Sequence, residues 1–300
     1  MTETPTLLAD LLPSWQVSLN AANKSRHTTA QYAEGVRAFL RWCESSGTTP
    51  QLSKPTVQAF IAALFDGGVQ PATARARYMA LRRYSHWLAT EGEIDADALI
   101  GMSPPKLTTK IVDPLSDGEL RDLFKACQGK TFRDRRDEAI VRLMAETGMR
   151  AGECASLVVA DIDTLHGRAV IRSGKGGRDR SVPFGPQTAT VLDRYIRLRR
   201  THKLGHQAAL WLPTRAAGSF GYTSLRRALR HRAELAGIPN FHPHVLRHTA
   251  ATRWLAAGGS EGGLMAVAGW RQRQMLDRYT AATAADRAAD EAKRLRLGRC

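Results

Sequence analysis

Three histidines and an arginine lie close together in the segment from His242 to His248, which reads H-P-H-V-L-R-H. The proline suits the first turn of a helix, and side chains three and four residues apart share a helix face. His244, Arg247 and His248 are therefore predicted to lie on one face. Arginine is a bidentate donor to phosphate, and histidine donates a hydrogen bond or moves a proton. Taken alone, the cluster fits either phosphate chemistry or a structural role.

Three further candidates stand elsewhere in the chain. Arg150 lies in T-G-M-R-A-G-E, just beyond a predicted helix, and Glu153 could hold its guanidinium in place. Lys175 lies in a glycine-rich turn, and Tyr279 is close to the C-terminal end. Alone, Lys175 would be interpreted as a surface lysine and Tyr279 as a packing residue.

A metal or nucleotide site is not indicated by these segments. Arg247 would repel a cation placed between His244 and His248, and no nearby carboxylate or cysteine completes a ligand set. The lysine turn lacks the glycine at position 169 and the serine or threonine at position 176 that a phosphate-binding loop requires. We therefore expect no cofactor and no metal.

The charge of the chain indicates a polyanionic partner. There are 44 Lys+Arg against 28 Asp+Glu, which gives a net charge of +16 and a pI of about 10.4. Residues 111–300 hold 33 of the basic and 19 of the acidic residues, so the partner is expected mainly on this part. Nucleic acid is the usual partner of such a field, and a basic solvated surface is the alternative.

Composition also limits the class of protein. With 43% hydrophobic residues, the 300-residue chain can bury a sizeable core, and its length favours two domains. The four cysteines are scattered, which argues against a disulfide framework. No apolar run is long enough for a membrane span, and the first residues do not resemble a signal peptide. We therefore expect a cytoplasmic protein.

Hydrophobic spacing predicts a mainly α fold with a small antiparallel sheet (α+β). Residues 1–104 are predicted to be an all-helical domain, 105–113 a linker, and 114–300 a second domain with a glycine-turn hairpin and a C-terminal tail helix. In the first domain, Arg75 and Arg82 share a helix stripe that could lie along DNA phosphates or simply face solvent.

Together, the separate motifs are similar to those of one family. In order they are T-G-M-R-A-G-E, G-K-G-G-R, H-P-H-V-L-R-H-T-A-A-T, G-W and D-R-Y-T, and they resemble the tyrosine recombinases, or phage integrases. The helical N-terminal part resembles the core-binding, SAM-like domain of that family. The resemblance covers nearly the whole chain and implies site-specific cleavage and rejoining of double-stranded DNA.

The resemblance also implies a role for each candidate. Arg150 and Arg247 would clamp the scissile phosphate, and Tyr279 would attack it to form a 3′-phosphotyrosyl intermediate. Lys175 would protonate the leaving 5′-oxygen, and His244 would assist proton transfer at the nucleophile. His248 and Glu153 would act only as supports.

Trp270 departs from the pattern, because many members of the family have histidine there. Its indole N–H can donate to the phosphate but cannot shuttle a proton. The family pattern also implies a homo-tetramer on two duplexes, joined through the C-terminal tail, and leaves an accessory protein open. The compact layout fits Xer-like or mobile-element members. A non-cutting DNA-binding relative and a type IB topoisomerase-like enzyme are the alternatives.

Overall fold

The computed structural model describes residues 7–107, 113–172, 179–215 and 217–276. Contacts divide the chain into two compact units, Met1–Lys110 and Ile111–Cys300. Lys175, Tyr279 and the tail lie outside the described residues. Within the described part, no helix combines the length and the apolar character needed to cross a bilayer.

The regular secondary structure in the described residues of the first unit is entirely helical. Ser25 and Ser53 cap two of them by accepting hydrogen bonds from the backbone N–H groups of Thr28 and Thr56. The helices are α1 (Leu7–Asp10), α2 (Leu12–Ala21), α3 (Arg26–Ser46), α4 (Lys54–Asp66) and α5 (Pro71–Thr90). The helical N-terminal unit predicted from the spacing is thus confirmed.

Helices α3 and α5 form the centre of this unit. Gly35 permits their close approach, because a Cβ built there would lie only 2.6 Å from the Cβ of Ala80. Trp15, Phe39 and Tyr84 are fully buried around this contact, and the Tyr84 hydroxyl donates to the carbonyl of Leu8 at 2.8 Å. A buried aromatic core therefore holds the unit together.

The second unit combines helices with a small sheet. Its helices are α6 (Asp117–Ala126), α7 (Phe132–Thr147), α8 (Ala151–Ala155), α9 (Pro186–Arg200), α10 (Tyr222–Leu235), α11 (Pro243–Ala256) and α12 (Glu261–Ala268). The sheet is antiparallel in the order β1 (Ile162–Asp163), β2 (Arg168–Ile171) and β3 (Arg180–Pro183). Ala169 faces Val182 in the β2–β3 register. The expected fold class is confirmed.

Helix α7 is the central helix of the second unit and packs against α9 and α11. A buried ion network fixes its N-terminal half. Arg136 donates to Oδ1 of Asp137 at 2.8 Å, and Arg232 of α10 donates to Oδ2 at 2.9 Å. All three side chains are buried, so the Asp137 carboxylate joins α10 to α7 in a fixed register.

Several local predictions are confirmed by these elements. Ser116 and Glu119 form the expected capping box before α6, and α7 ends at Thr147 before the left-handed Gly148. The two strands expected on either side of the glycine-rich segment are present as the antiparallel pair β2 and β3, and the segment itself lies outside the described residues. Strand β1 was not predicted, because two residues are too short to show a period.

Candidate active site

Arg150 caps the start of α8, just after the left-handed Gly148 that ends α7. Its backbone N–H donates to Oε2 of Glu153 at 2.7 Å, and its Nη1 donates to Oε1 at 2.9 Å. Its side chain remains 49% exposed. One side of the guanidinium is thus held by a carboxylate while the other is open to a ligand.

The carboxylate of Glu153 is held in turn by Arg180 of β3. Nη1 and Nη2 of Arg180 donate to its two oxygens at 3.0 and 2.7 Å. Burial alone would raise the pKa of Glu153, but the hydrogen bonds from Arg180 and Arg150 outweigh it and lower the pKa. Glu153 therefore stays ionised. The hydrogen bond from Nη1 of Arg150 is the contact that was expected between the two residues.

Arg247 on α11 is almost completely buried, with 2% of its surface exposed. Its Nη1 donates to the carbonyl of Gly148 and its Nη2 to the carbonyl of Ala268, both at 2.8 Å. Its guanidinium carbon lies 5.1 Å from the ring centre of Trp270. These two carbonyls fix the position of the guanidinium.

The histidines of α11 lie beside this arginine. His244 is exposed, His248 is half-buried, and their rings meet edge to face with centroids 4.8 Å apart. His242, immediately before the helix, stacks on His244 with centroids 6.4 Å apart. Burial lowers the pKa of His242. The exposed His244 is thus the member of the group most accessible to a ligand.

A cavity of about 350 Å³ brings three of the predicted residues together. Arg150, His244 and Arg247 line it, although Arg150 lies far from the other two in the sequence. Its volume is ample for a phosphate group. Two guanidiniums and an imidazole around one opening form a site for an anion.

Trp270 occupies a different place. It is buried in a small apolar cluster with Leu255 and Leu264, and its ring packs against the Arg247 guanidinium. Trp270 is not among the described residues that line the cavity. Its observed contact therefore supports the position of Arg247.

Sequence reasoning missed three residues near the site. Tyr222 and Arg226 of α10 line the cavity, and Arg180 holds Glu153 from behind. Exposed arginines alternate with the buried residues of α10 at Arg226, Arg227 and Arg230. This spacing in the sequence is a signal that could have indicated a basic helix face. No local signal identified Arg180, whose carboxylate partner lies 27 residues earlier.

The two arginines expected on DNA differ in environment. Arg82 is exposed on α5, whereas Arg75 is half-buried and donates to the carbonyl of Pro105 at 2.9 Å. One donor of Arg75 is therefore already used within the first unit. Across the described ranges, no group of three or more His, Cys, Asp or Glu is placed to share a metal ion.

Comparison with known proteins gives a consistent result. Residues 114–286 match the phage integrase family, and residues 14–92 match the phage integrase N-terminal SAM-like domain. The tyrosine recombinase XerC of Corynebacterium efficiens is 30% identical over 252 residues, which cover 82% of this chain and 79% of that protein. XerC of Oceanobacillus iheyensis is 27% identical over 268 residues, with 87% of each chain covered.

Solved structures share the fold. The crystal structure of XerA recombinase aligns with 91% of this chain and 93% of its own, at a TM-score of 0.53 and 25% identity. XerH bound to a palindromic difH substrate, in a post-cleavage complex, aligns with 96% of this chain and 84% of its own, at a TM-score of 0.73 and 16% identity. With both domain families and relatives of nearly full length in agreement, the chain belongs to the phage integrase family and is a tyrosine-type site-specific recombinase.

Proposed function

We propose that this recombinase holds a scissile DNA phosphate in the cavity between Arg150, His244 and Arg247, and that Tyr279 attacks it. A bond forms between the tyrosine oxygen and phosphorus as the bond from phosphorus to the 5′-oxygen breaks. The products are a 3′-phosphotyrosyl enzyme and a free 5′-hydroxyl. A 5′-hydroxyl from a partner strand reverses the step and completes strand exchange. The observation that carries this proposal is the convergence of the three side chains on one cavity.

The arginines account for charge stabilisation. Negative charge builds on the non-bridging oxygens as five-coordinate phosphorus forms, and fixed donors stabilise it without reorganising. Arg247 is fixed in this way by the carbonyls of Gly148 and Ala268. Arg150 is fixed by Glu153 while its side chain remains half exposed. The two guanidiniums therefore contact the phosphate from two elements of the fold.

Proton transfer is assigned to His244 and Lys175. His244 is exposed at the cavity and takes the proton of the attacking tyrosine or returns it. Lys175, in the segment of the sequence that links β2 to β3, donates the proton that the leaving 5′-oxygen needs. His248 supports His244 through the edge-to-face ring contact. Trp270 supports Arg247 and donates to the phosphate once the DNA-bound site has closed.

Double-stranded DNA is the substrate of this proposal. The basic excess of residues 111–300 and the arginines of α10 beside the cavity support a DNA-binding face there. In the first unit, Arg82 is a better candidate than Arg75 for a contact with the DNA phosphate backbone, because Arg75 already donates to the carbonyl of Pro105. We infer a cytoplasmic location, because the proposed substrate is DNA.

The assembly is proposed from the family layout. Residues 1–104 form the core-binding domain, 105–113 the linker, and 114–300 the catalytic domain with its tail. A lambda integrase of the same fold has been solved as a tetramer bound to a Holliday junction. We infer a homo-tetramer on two duplexes for this chain too, joined by the tail after Tyr279, with a mobile element as the source of the DNA sites.

Covalent capture tests the proposal. The protein is incubated with nicked, sheared DNA of its host, and DNA that stays attached through detergent is sequenced at the attachment point. We expect adducts at one recurring sequence, and none with Tyr279→Phe. Scattered adducts without sequence preference would instead indicate a topoisomerase-like activity. Tight binding without adducts would indicate a non-cutting relative.

A further inference from the structure

Arg180 uses all three donor groups of its guanidinium at the edge of the site. Nη1 and Nη2 donate to the two oxygens of Glu153, and Nε donates to the carbonyl of Val267 at 2.9 Å. Its side chain is only 16% exposed. The residue thus ties β3 to α8 and to the last turn of α12. An arginine held at three points is fixed in position.

The contact with Glu153 extends to Arg150. Each carboxylate oxygen of Glu153 accepts one hydrogen bond from Arg180 and one from Arg150. Without the two hydrogen bonds from Arg180, the Glu153 carboxylate would be free to rotate, and the Arg150 guanidinium would rotate with it. The orientation of Arg150 toward the cavity therefore depends on Arg180.

Through the end of helix α12, Arg180 is also linked to Arg247. The last carbonyls of a helix have no partner within that helix. At the end of α12, the carbonyl of Val267 accepts from Arg180 and that of Ala268 accepts from Arg247. The two arginines thus complete the end of the same helix, where the helix dipole favours positive charge.

These contacts close a ring. Arg247 also donates to the carbonyl of Gly148, which lies two residues before Arg150. Following the hydrogen bonds and the chain, the ring runs through Arg150, Glu153, Arg180, Val267–Ala268, Arg247 and Gly148. Arg180 joins the side of Arg150 to the side of Arg247 on one half of the ring, and Gly148 joins them on the other.

Gly269 shows how closely the backbone fits this guanidinium. A Cβ built at Gly269 would lie 2.9 Å from the guanidinium carbon of Arg180. The residue also has a φ of +66°, in the left-handed region that glycine adopts without strain. The turn after α12 is therefore shaped to leave room for Arg180.

We propose that Arg180 is a positioning residue for cleavage, which holds Arg150 and Arg247 in the relative geometry that the phosphate requires. The inference rests on the proposed function. Arg180 lies behind Glu153 and is not among the described residues that line the cavity, so it acts through its partners. Its removal should slow the chemical step and leave DNA affinity nearly unchanged.

The test compares variants on a nicked duplex that carries the attachment sequence recovered by covalent capture. The variants are Arg180→Met, Arg180→Lys, Glu153→Gln and the double variant Arg180→Met/Glu153→Gln. Arg168→Met, on the neighbouring strand β2 and exposed, is the matched control. Equilibrium binding of the duplex, the rate of adduct formation and thermal unfolding are measured for each variant.

We expect Arg180→Met to slow adduct formation about 100-fold, the size of effect seen when one transition-state donor is lost. Binding should stay within about threefold of wild type, because the exposed DNA-binding residues are untouched. Arg180→Lys should recover part of the rate, and Arg168→Met should match wild type. The double variant should lose less than the product of the two single losses, because Arg180 acts on Arg150 through Glu153.

Three outcomes would overturn the inference. The first is a folded Arg180→Met that cleaves at the wild-type rate. The second is a loss of rate matched by an equal loss of affinity, and the third is a multiplicative loss in the double variant. Should Arg180→Met not fold, a wild-type cleavage rate in Arg180→Lys refutes the inference. Absence of wild-type adducts would instead refute the proposed function, and the inference would fall with it.

Discussion

Replacing Gly269 by alanine perturbs the ring of hydrogen bonds without changing any residue in it. The new methyl group would lie 2.9 Å from the Arg180 guanidinium carbon, so one of them must move. The guanidinium is the far end of a flexible side chain, and it will give way before the backbone does. We therefore expect the fold to survive and the contacts of Arg180 to Glu153 and Val267 to break.

Gly258→Ala is the matched control for backbone strain. Gly258 also has a positive φ, +78°, but no atom lies within 4 Å of a Cβ built there. Each alanine costs about 1 kcal/mol for its left-handed conformation. Gly269→Ala loses a further ~2 kcal/mol from charge-assisted hydrogen bonds that are partly exposed to solvent.

Thermal unfolding and adduct formation together measure the effect. A loss of 1 kcal/mol lowers the melting temperature of a unit of this size by about 3 °C. The second unit should therefore melt about 3 °C lower in Gly258→Ala and about 9 °C lower in Gly269→Ala. Adduct formation should be unchanged in Gly258→Ala and about 100-fold slower in Gly269→Ala. Equal melting temperatures and equal rates in the two variants would refute the reasoning.

Three further outcomes concern buried groups. Asp137→Asn leaves Arg136 and Arg232 buried without their shared anion and should cost about 3–5 kcal/mol in denaturant unfolding, whereas the exposed Asp122→Asn should change little. The lowered pKa of Glu153 means that its ionised form stabilises the fold above pH 4.5 and does so less as the pH falls. The difference in unfolding free energy between wild type and Glu153→Gln should therefore narrow in acid. A difference that stays constant with pH would contradict this. Burial raises the pKa of Cys43 to about 11, so mass spectrometry should find it unalkylated by iodoacetamide in the native protein at neutral pH, and rapid labelling would contradict its burial.

Local signals predicted the elements that position the site. The serine cap at Ser116, the left-handed glycine after α7 and the proline that begins α11 each act within one turn of chain. Because such signals depend on neighbours in sequence, they can be recognised without a structure. The position of His244 at a helix start and that of Arg150 just beyond α7 followed from them directly, whereas the short helix α8 was not predicted.

Long-range contacts could not be predicted in the same way. Arg180 contacts a carboxylate 27 residues away and a carbonyl 87 residues away, and neither distance leaves a pattern in the sequence. The burial of Arg247 was also not predicted, since arginine is usually exposed and its partners are backbone carbonyls. Trp270 was expected to face the phosphate, a role that stays a prediction; what the structure adds is its packing on Arg247.

Chain order gives the ring around the two arginines a consequence for synthesis of the protein. Its first member, Gly148, is made near the middle of the chain, but the carbonyls of Val267 and Ala268 follow more than a hundred residues later. A truncated chain that ends after Arg247 has both arginines of the proposed phosphate site and neither anchor of α12. A chain truncated there therefore carries an incomplete ring, which can close only after α12 has been made.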